Sequence, residues 1–124
     1  MSDATLAGMR ILVVEDEMLV SMLLEDMLAD FGCSVVGPAP SIAEAMPLAT
    51  HAAIDAAVLD LNLGGQPIFP VADALKARGV PFVFASGYGN AGVSEAHRGA
   101  PMLQKPFRQA DLEKALNGLK LLQS

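Results

Sequence analysis

The feature that most constrains this chain is a regular alternation of short apolar runs with longer segments of helical pattern. The apolar runs predict five buried strands, at Arg10–Val14, Cys33–Gly37, Ala56–Asp60, Phe82–Ser86 and Met102–Gln104. Strands that alternate with helices form βαβ units, in which the strands are parallel and the crossovers right-handed. Five such units predict an α/β, flavodoxin-like, doubly wound (βα)5 fold, whose five-stranded parallel sheet has the strand order 2-1-3-4-5.

Apolar residues at helical spacing predict the first segment between the strands. This helix is expected over about residues 17–31, with Gly32 as its stop. The residues at helical spacing that are assigned to its core face are Val20, Leu23, Leu24, Met27, Leu28 and Phe31. The seven methionines of the chain are interpreted as core-filling side chains and not as a metal site, because Met is flexible and apolar.

The other helices are predicted from the signals at their ends. Ser41 can cap a second helix, because Glu44 follows it at the capping-box spacing. Pro70 suits the first turn of a third helix, which Gly79 ends. Apolar residues at helical spacing outline a last helix over about residues 111–122. Each helix therefore falls between two predicted strands or after the last one.

Length and composition fit one domain of this kind. The chain has 124 residues, of which 52% are hydrophobic and only 5% aromatic, so its core must be aliphatic. On the usual domain size of about 100–200 residues, we expect a single domain over residues 1–124, with its core at about 9–122. No linker and no output domain are expected.

Charge and cysteine content exclude several classes of protein. The formal net charge is −6 and the basic residues do not cluster, so the basic footprint of a nucleic-acid-binding protein is missing. No apolar run reaches the roughly 20 residues of a membrane span, and the N-terminus lacks a signal-peptide pattern. The lone Cys33 cannot form an internal disulfide, which fits a reducing compartment. We therefore expect a cytoplasmic protein with neither a nucleic-acid nor a membrane partner.

Acidic residues follow two neighbouring strands of the predicted sheet. Glu15, Asp16 and Glu17 come after the first strand, and Asp60 ends the third. Because these strands are adjacent in the predicted order, their carboxylates are expected to converge at the carboxyl edge of the sheet, where such folds bind ligands. Carboxylates held together repel one another unless a cation neutralises them. Mg²⁺ is commonly held by one or two carboxylates, waters and a phosphate oxygen, so the sequence predicts a Mg²⁺ site here.

Two further polar residues follow the last two predicted strands. Ser86 ends the fourth strand and can donate a hydrogen bond to a phosphoryl oxygen. Lys105 follows the fifth and adds a point charge that can pair with another such oxygen. With Asp60 as an oxygen nucleophile, these residues predict a phosphoryl-transfer site that works by positioning and charge neutralisation.

Each of these residues also has a simpler structural interpretation. The acidic triplet fits the N-terminus of a helix, where negative charge is favourable. Asp60 fits a turn after a strand, Ser86 fits a helix N-cap, and Lys105 fits an ordinary surface lysine. Taken one at a time, these residues do not decide between structure and function. The functional interpretation depends on the set, in which each group stands at the end of the appropriate strand.

Four sequence runs resemble the landmarks of the response-regulator receiver family. They are ILVVEDE, AVLDLNLGG, PFVFASGYG and LQKPF, and they are spread over most of the chain. The resemblance implies that Glu15 and Asp16 are the acidic pair, with Asp16 a direct Mg²⁺ ligand. It also implies that Asp60 is the phosphoacceptor and that the backbone carbonyl of Asn62 contacts the metal.

The same resemblance assigns the other polar residues. Ser86 takes the hydroxyl position, often Thr in the family, and Lys105 takes the position of the family's lysine. PFVFASGYG is similar to the FATGUY motif of single-domain receivers from alphaproteobacteria, whose partner is often a histidine kinase of the HWE type. The family's usual aromatic residue three positions before the lysine is here Met102. Tyr88 is a candidate for the missing switch aromatic, and the glycine-rich segment 87–99 is expected to change its order on activation.

The expected function is that of a stand-alone receiver. It accepts a phosphoryl group from a histidine kinase onto Asp60 with Mg²⁺ and loses it by hydrolysis, so it is a phosphoacceptor and not an enzyme. The signal then leaves through contacts with an unidentified downstream protein, or the chain acts as a phosphate sink. Two alternatives stay open at this point. One is a phosphorylation-independent pseudo-receiver, and the other is a haloacid-dehalogenase-type phosphatase, which needs an acid at the position of Asn62.

Overall fold

The structure, a computed structural model, describes residues 6–87 and 99–122. Its elements over these residues are β1 (Arg10–Val14), α1 (Met18–Asp30), β2 (Ser34–Ala39), α2 (Ile42–His51), β3 (Ala56–Asp60), β4 (Asn62–Leu63), β5 (Gln66–Pro67), α3 (Phe69–Ala77), β6 (Phe82–Ser86), β7 (Met102–Gln104) and α4 (Gln109–Leu122). Residues 88–98, which include Tyr88 and most of the segment expected to change its order, lie outside this description. Within it, no helix is both long enough and apolar enough to cross a membrane.

Five strands form one sheet in the order β2-β1-β3-β6-β7, and every neighbouring pair is parallel. The short strands β4 and β5 pair only with each other, as an antiparallel hairpin. Without that hairpin, β6 and β7 are the fourth and fifth predicted strands, so the predicted order 2-1-3-4-5 and the flavodoxin-like fold are confirmed. In such a sheet, the carboxyl ends of all five strands lie along one edge.

Alternate residues of β1 enter two apolar layers, one on each face of the sheet. Ile11 and Val13 lie in a cluster with α1 and α4, whereas Leu12 and Val14 lie in a cluster with α2 and α3. A parallel sheet is covered on both faces by its crossover helices, and its strands therefore read as continuous apolar runs. The neighbouring strand β3 is buried over its whole length. These central strands give the polar residues at their carboxyl ends a fixed position.

The second strand departs from its predicted bounds. The apolar run predicts a strand over residues 33–37, whereas β2 runs over Ser34–Ala39. Gly37 has a φ of 94° and lies at an irregularity in the pairing of β1 with β2, after which Val14 pairs with Ala39. A Cβ at Gly37 would lie 2.8 Å from the backbone nitrogen of Ala39, so only glycine fits there. A bulge at the edge of the sheet thus lets the strand continue past its apparent end.

The first helix exposes apolar side chains that the helical pattern assigns to the core. Met18, Leu19, Met22 and Leu23, here called the α1 patch, have relative exposures of 74%, 81%, 53% and 47%. The core assignment is therefore wrong for Leu23 and for these two methionines. The reason is that α1 contacts the sheet through a narrow face, while its apolar residues extend beyond that face. The buried residues of α1 are Ser21, Leu24, Met27 and Leu28.

The helices α2 and α3 are tied together near their carboxyl ends. The guanidinium of Arg78, which follows α3, donates hydrogen bonds to the carbonyl oxygens of Ala49 at 2.7 Å and Ala52 at 2.8 Å. Carbonyls in the last turn of a helix lack partners within that helix, so the arginine supplies them. At its other end α2 begins as predicted, since the Ser41 hydroxyl accepts a hydrogen bond from the backbone N–H of Glu44 at 3.2 Å. Arg78 therefore joins the two helices that cover one face of the sheet.

Candidate functional site

Four acidic residues lie together at the carboxyl ends of β1 and β3 in the described part of the chain. Glu15, Asp16 and Glu17 follow β1, and Asp60 is the last residue of β3. Because β1 and β3 pair directly, carboxylate oxygens of Glu15, Asp16 and Asp60 lie within 4.8 Å of one another. Glu15 and Asp60 are buried, whereas Asp16 and Glu17 are exposed. The cluster thus has a buried floor and an open side.

Lys105 extends from the loop after β7 into this acidic cluster. Its Nζ lies 2.8 Å from Glu15 Oε1, 3.5 Å from Asp60 Oδ1 and 3.9 Å from Glu17 Oε1. The backbone N–H of Lys105 donates to the carbonyl oxygen of Ser86 at 2.8 Å, which fixes the start of the loop beside β6. The sheet therefore places the single lysine of the cluster, among the residues described, closest to Glu15.

The electrostatics of the cluster follow from burial and crowding. Burial and the negative charge of Glu15 raise the pKa of Asp60 to about 7, although Lys105 acts in the opposite direction. Burial alone lowers the pKa of Lys105, but its hydrogen bond with Glu15 and the charge of Asp60 outweigh burial and raise it. The lysine is thus firmly charged, and one positive charge faces several carboxylates. The pocket keeps an excess of negative charge.

The cluster opens into a pocket of about 510 Å³. Its lining residues are Asp16, Glu17, Asp60, Asn62, Gly64, Gly65, Ser86, Gly87 and Lys105. One wall is the hairpin of β4 and β5, which the sequence reasoning missed. Its two turn residues, Gly64 and Gly65, have φ values of 56° and 85°, as a two-residue type I′ turn requires. A Gly-Gly pair between two short segments was the available signal.

The remaining predicted site residues fall into two groups. Ser86 is buried at the end of β6 and lines the pocket, and Asn62 lines it too, with its backbone N–H donating to Asp60 Oδ1 at 3.3 Å. Met102 is half-buried in β7, where it pairs with Phe84, and does not line the pocket. The structure thus brings together Asp60, Ser86 and the predicted metal residues, but leaves Met102 apart.

Met102 instead lines a second, larger groove of about 830 Å³ between β7 and α4. The groove contains Asp111 and Lys114 but lacks the clustered carboxylates of the first pocket. Volume alone therefore does not locate the chemistry. We assign it to the smaller pocket, where a carboxylate with a strongly raised pKa, a lysine and a hydroxyl meet.

The donor atoms of the smaller pocket fit a hard divalent cation. All three clustered side chains offer carboxylate oxygens, the ligands that Mg²⁺ prefers. Both oxygens of Glu15 already accept hydrogen bonds or ion pairs, from Lys105 Nζ at 2.8 Å and from the backbone N–H of Glu17 at 3.1 Å. Asp16 and Asp60 are therefore the better placed of the three to contact a cation directly, and the excess negative charge favours its binding.

Comparison with known families assigns the class of this protein. The family described as "Response regulator receiver domain" matches residues 11–117, which is most of the chain and includes every strand of the main sheet except the first residue of β1. The chain therefore belongs to the response-regulator receiver family, whose members act in two-component systems. This assignment leaves the phosphatase alternative without support.

Individual relatives share both sequence and fold with this chain. The solution structure of SdrG from Sphingomonas melonis Fr1 has 45% identity and a TM-score of 0.81, covering 90% of this chain and 96% of SdrG. The BeF3-activated conformation of SdrG from Pseudomonas melonis Fr1 has 44% identity and a TM-score of 0.76, covering 94% and 98%. The phyllosphere-induced regulator PhyR of Methylorubrum extorquens is 31% identical over 111 residues, which are 86% of this chain but 42% of PhyR. The chain thus spans less than half of that curated relative.

Proposed function

We propose that this chain is the phosphoacceptor of a two-component pathway, with Asp60 as the residue that receives the phosphoryl group. The observation that carries the proposal is the meeting of buried Asp60 with Asp16, Glu15 and Lys105 in one pocket. A phosphohistidine of a histidine kinase is the donor. The Asp60 Oδ–P bond forms while the N–P bond breaks, and the imidazole nitrogen keeps the electron pair. Hydrolysis of the acyl phosphate later restores Asp60, so the chain is a reactant and not an enzyme.

The pocket residues have separate roles in this proposal. Asp16, Asp60 and the backbone carbonyl of Asn62 would hold Mg²⁺, which when bound would neutralise charge on the phosphoryl group. Lys105 pairs with a phosphoryl oxygen, moving away from Glu15, with which it makes its shortest contact at 2.8 Å. The hydroxyl of Ser86 donates to another phosphoryl oxygen. Preorganised charges of this kind account for most of the catalysis of phosphoryl transfer.

The signal is proposed to leave through the chain that follows Ser86. Movement of the Ser86 hydroxyl towards the phosphoryl group pulls on the start of the glycine-rich segment 87–99, and Tyr88 supplies the switch aromatic. Met102 offers no ring at the family's usual position. The BeF3-activated conformation of SdrG supports activation by a phosphoryl mimic in a relative of 44% identity. The FATGUY-like run PFVFASGYG supports a stand-alone receiver with an HWE-type kinase.

The α1 patch is proposed to dock the phosphohistidine-bearing surface of that kinase. Met18 directly follows Glu17, which lines the pocket, so the patch is continuous with the entrance to Asp60. A donor histidine can reach Asp60 only if its protein covers this entrance. The patch is also the group of large exposed apolar side chains in the described chain, and such contiguous patches mark interaction sites.

Phosphorylation assays with paired variants test the acceptor. Wild-type protein, Asp60→Asn and Asp55→Asn are incubated with Mg²⁺ and either acetyl phosphate or a panel of HWE-type kinases with labelled ATP. Asp55 stands just before β3 and receives the same substitution as Asp60 at the other end of the strand. We expect acid-stable, base-labile label in wild type and Asp55→Asn, and none in Asp60→Asn. Label in Asp60→Asn refutes the acceptor, and no label in wild type indicates a pseudo-receiver.

A comparison of two donors tests the docking surface. Leu19→Ser makes the most exposed residue of the α1 patch polar without touching the pocket. Since anchor residues of an interface contribute about 1–2 kcal/mol or more, transfer from the kinase should slow about tenfold. Labelling by acetyl phosphate should not change. If Leu19→Ser changes the rate by the same factor with the kinase and with acetyl phosphate, docking is refuted. Sedimentation that shows the patch to be a contact between two copies of this chain also refutes it.

A further inference from the structure

Glu17 is the pocket carboxylate to which the mechanism above gives no role. It is the N-cap residue of α1, yet its side chain makes no capping hydrogen bond. The Oε1 atom instead lies 3.9 Å from Lys105 Nζ, and the side chain is 68% exposed at the entrance of the pocket. Its backbone N–H donates to Glu15 Oε2 at 3.1 Å, which holds the residue beside the cluster. The side chain therefore lines the pocket that leads to Asp60 and does not cap the helix.

The charge of Glu17 acts on any donor that enters this pocket. A small acyl phosphate such as acetyl phosphate is a dianion near neutral pH, and it reaches Asp60 through a pocket that Glu17 lines. Repulsion between exposed like charges is weak in water, and added salt screens it further. Glu17 also competes for Lys105, the cation that would otherwise attract the donor. Both effects oppose a free anion more than a donor carried by a bound protein.

We infer that Glu17 is a donor-selecting residue, which disfavours small dianionic phosphodonors and so reserves Asp60 for a protein phosphodonor that covers the pocket entrance. The inference rests on the proposed function, because it concerns the rate at which Asp60 is phosphorylated. With acetyl phosphate, the Asp60 Oδ–P bond forms while the bond between phosphorus and the acetyl oxygen breaks, and acetate leaves with the electron pair. Glu17 takes no part in this chemistry and changes only access to it.

Two small donors of different charge provide the test. Acetyl phosphate is a dianion near neutral pH, whereas phosphoramidate is a zwitterion with the net charge of a monoanion. In Glu17→Gln, the initial rate of Asp60 labelling by acetyl phosphate should rise about twofold to fivefold, the range expected for an exposed charge interaction. The rate with phosphoramidate should rise less, so the ratio of the two rates increases. A change in Mg²⁺ affinity or folding would alter both rates and cancel in this ratio.

Matched variants separate charge from structure. Glu17→Asp keeps the charge and should keep the wild-type ratio. Glu25→Gln removes the same charge from α1 about 12 Å farther along the helix, and should also keep the wild-type ratio. Added salt should accelerate wild-type labelling by acetyl phosphate, through screening of the repulsion, and should have less effect in Glu17→Gln.

The outcomes distinguish this inference from the proposed function. If wild type is labelled on Asp60 but Glu17→Gln shows the wild-type ratio and salt dependence, the inference is overturned and the proposed function stands. An equal rise of the ratio in Glu25→Gln also overturns it, because net charge alone would then explain the effect. If neither small donor and no kinase of the panel labels Asp60 in wild type, the proposed function fails and the inference fails with it. If a kinase labels Asp60 but acetyl phosphate labels neither wild type nor Glu17→Gln, the inference alone is overturned.

Discussion

Two aspartates at opposite ends of β3 have opposite environments. Asp55, just before the strand, accepts hydrogen bonds from the backbone N–H of Arg10 at 2.8 Å and from its guanidinium at 3.1 Å. The hydrogen bond with Arg10 lowers the pKa of Asp55 below its ordinary value. Asp60, at the other end, shares one lysine with other carboxylates, and burial together with the charge of Glu15 raises its pKa to about 7.

The difference shows how one strand serves two purposes. At its amino end, a carboxylate meets its own cation near the surface, and the arrangement contributes to the stability of the folded chain. At its carboxyl end, carboxylates outnumber cations in a buried pocket, and the unfavourable charge is offset by the core that holds β3 in place. Sites where a fold departs from the most stable arrangement are often functional. The following predictions test this contrast in order of decreasing effect.

Removing the cation at each end should have unequal consequences. Lys105→Ala leaves the buried carboxylate of Glu15 without its partner, and breaking a buried ion pair in this way costs about 3 kcal/mol. Arg10→Ala breaks an exposed pair and should reduce the free energy of unfolding far less. Urea unfolding in a chelating buffer measures both. Equal losses for the two variants would contradict the contrast.

The gain in stability from Mg²⁺ should depend on the carboxylates at the pocket end of β3 and not on Asp55. A ligand that binds only the folded chain raises the free energy of unfolding by about 2.7 kcal/mol at 100 times its Kd. Thermal unfolding of the wild type should therefore shift upward with Mg²⁺. Asp16→Asn should lose most of this gain, because it removes a charge from the cation site, while Asp55→Asn should keep it. If Mg²⁺ raises the unfolding temperature of Asp16→Asn as much as that of wild type, Asp16 does not bind the cation and is only a residue before the helix.

The pH dependence of stability should carry the signature of Asp60. Its folded pKa of about 7 lies above the ordinary value of 3.8, so between these values the folded chain binds more protons than the unfolded chain. Stability therefore falls as pH rises towards 7, by an amount on the order of 1–2 kcal/mol without Mg²⁺. Asp60→Asn should be more stable than wild type at about pH 8 and lack this slope. An identical slope in the variant would show that another group titrates.

The smallest expected effect belongs to Asp55 and has the opposite sign. Because its folded pKa is lowered, its pairing with Arg10 contributes stability above the unfolded pKa, and this contribution disappears as pH falls through the folded value. The loss should appear only below about pH 4 and amount to a fraction of the Asp60 effect, since solvent screens a surface pair. Asp55→Asn should remove it. If the stability of wild type and of Asp55→Asn falls identically with decreasing pH, the pair of Asp55 and Arg10 has no role in stability.

Much of the fold was predictable because its strands are buried on both faces. β1, β3, β6 and β7 have the predicted bounds, and α1 runs over Met18–Asp30 where residues 17–31 are predicted. The position of Asp60 beside Glu15 and Asp16 followed from the strand order alone, since β1 and β3 are adjacent. Apolar runs and chain order were sufficient for these features.

The features that the sequence did not reveal depend on local geometry. The continuation of β2 needs the positive φ of Gly37, and a pattern of apolar residues carries no information about it. The exposure of Leu23 depends on how widely α1 contacts the sheet, which helical spacing does not specify. The approach of Glu17 to Lys105 depends on the loop after β7. These three features depend on backbone conformation and on contacts between distant residues, neither of which an apolar pattern specifies.

The hydrogen bonds from Arg78 to the end of α2 have a practical consequence for labelling this protein. Arg78 joins α2 to α3 by hydrogen bonds, whereas α1 and α4 on the other face share an apolar cluster and a hydrogen bond between Gln109 and Asp30 at 3.4 Å. A fluorophore or surface tether attached near exposed Thr50 in α2 would lie close to the Arg78 hydrogen bonds, on the face of the sheet opposite α1. The α2 face is therefore the preferred attachment site for a label if this chain is made into a biosensor.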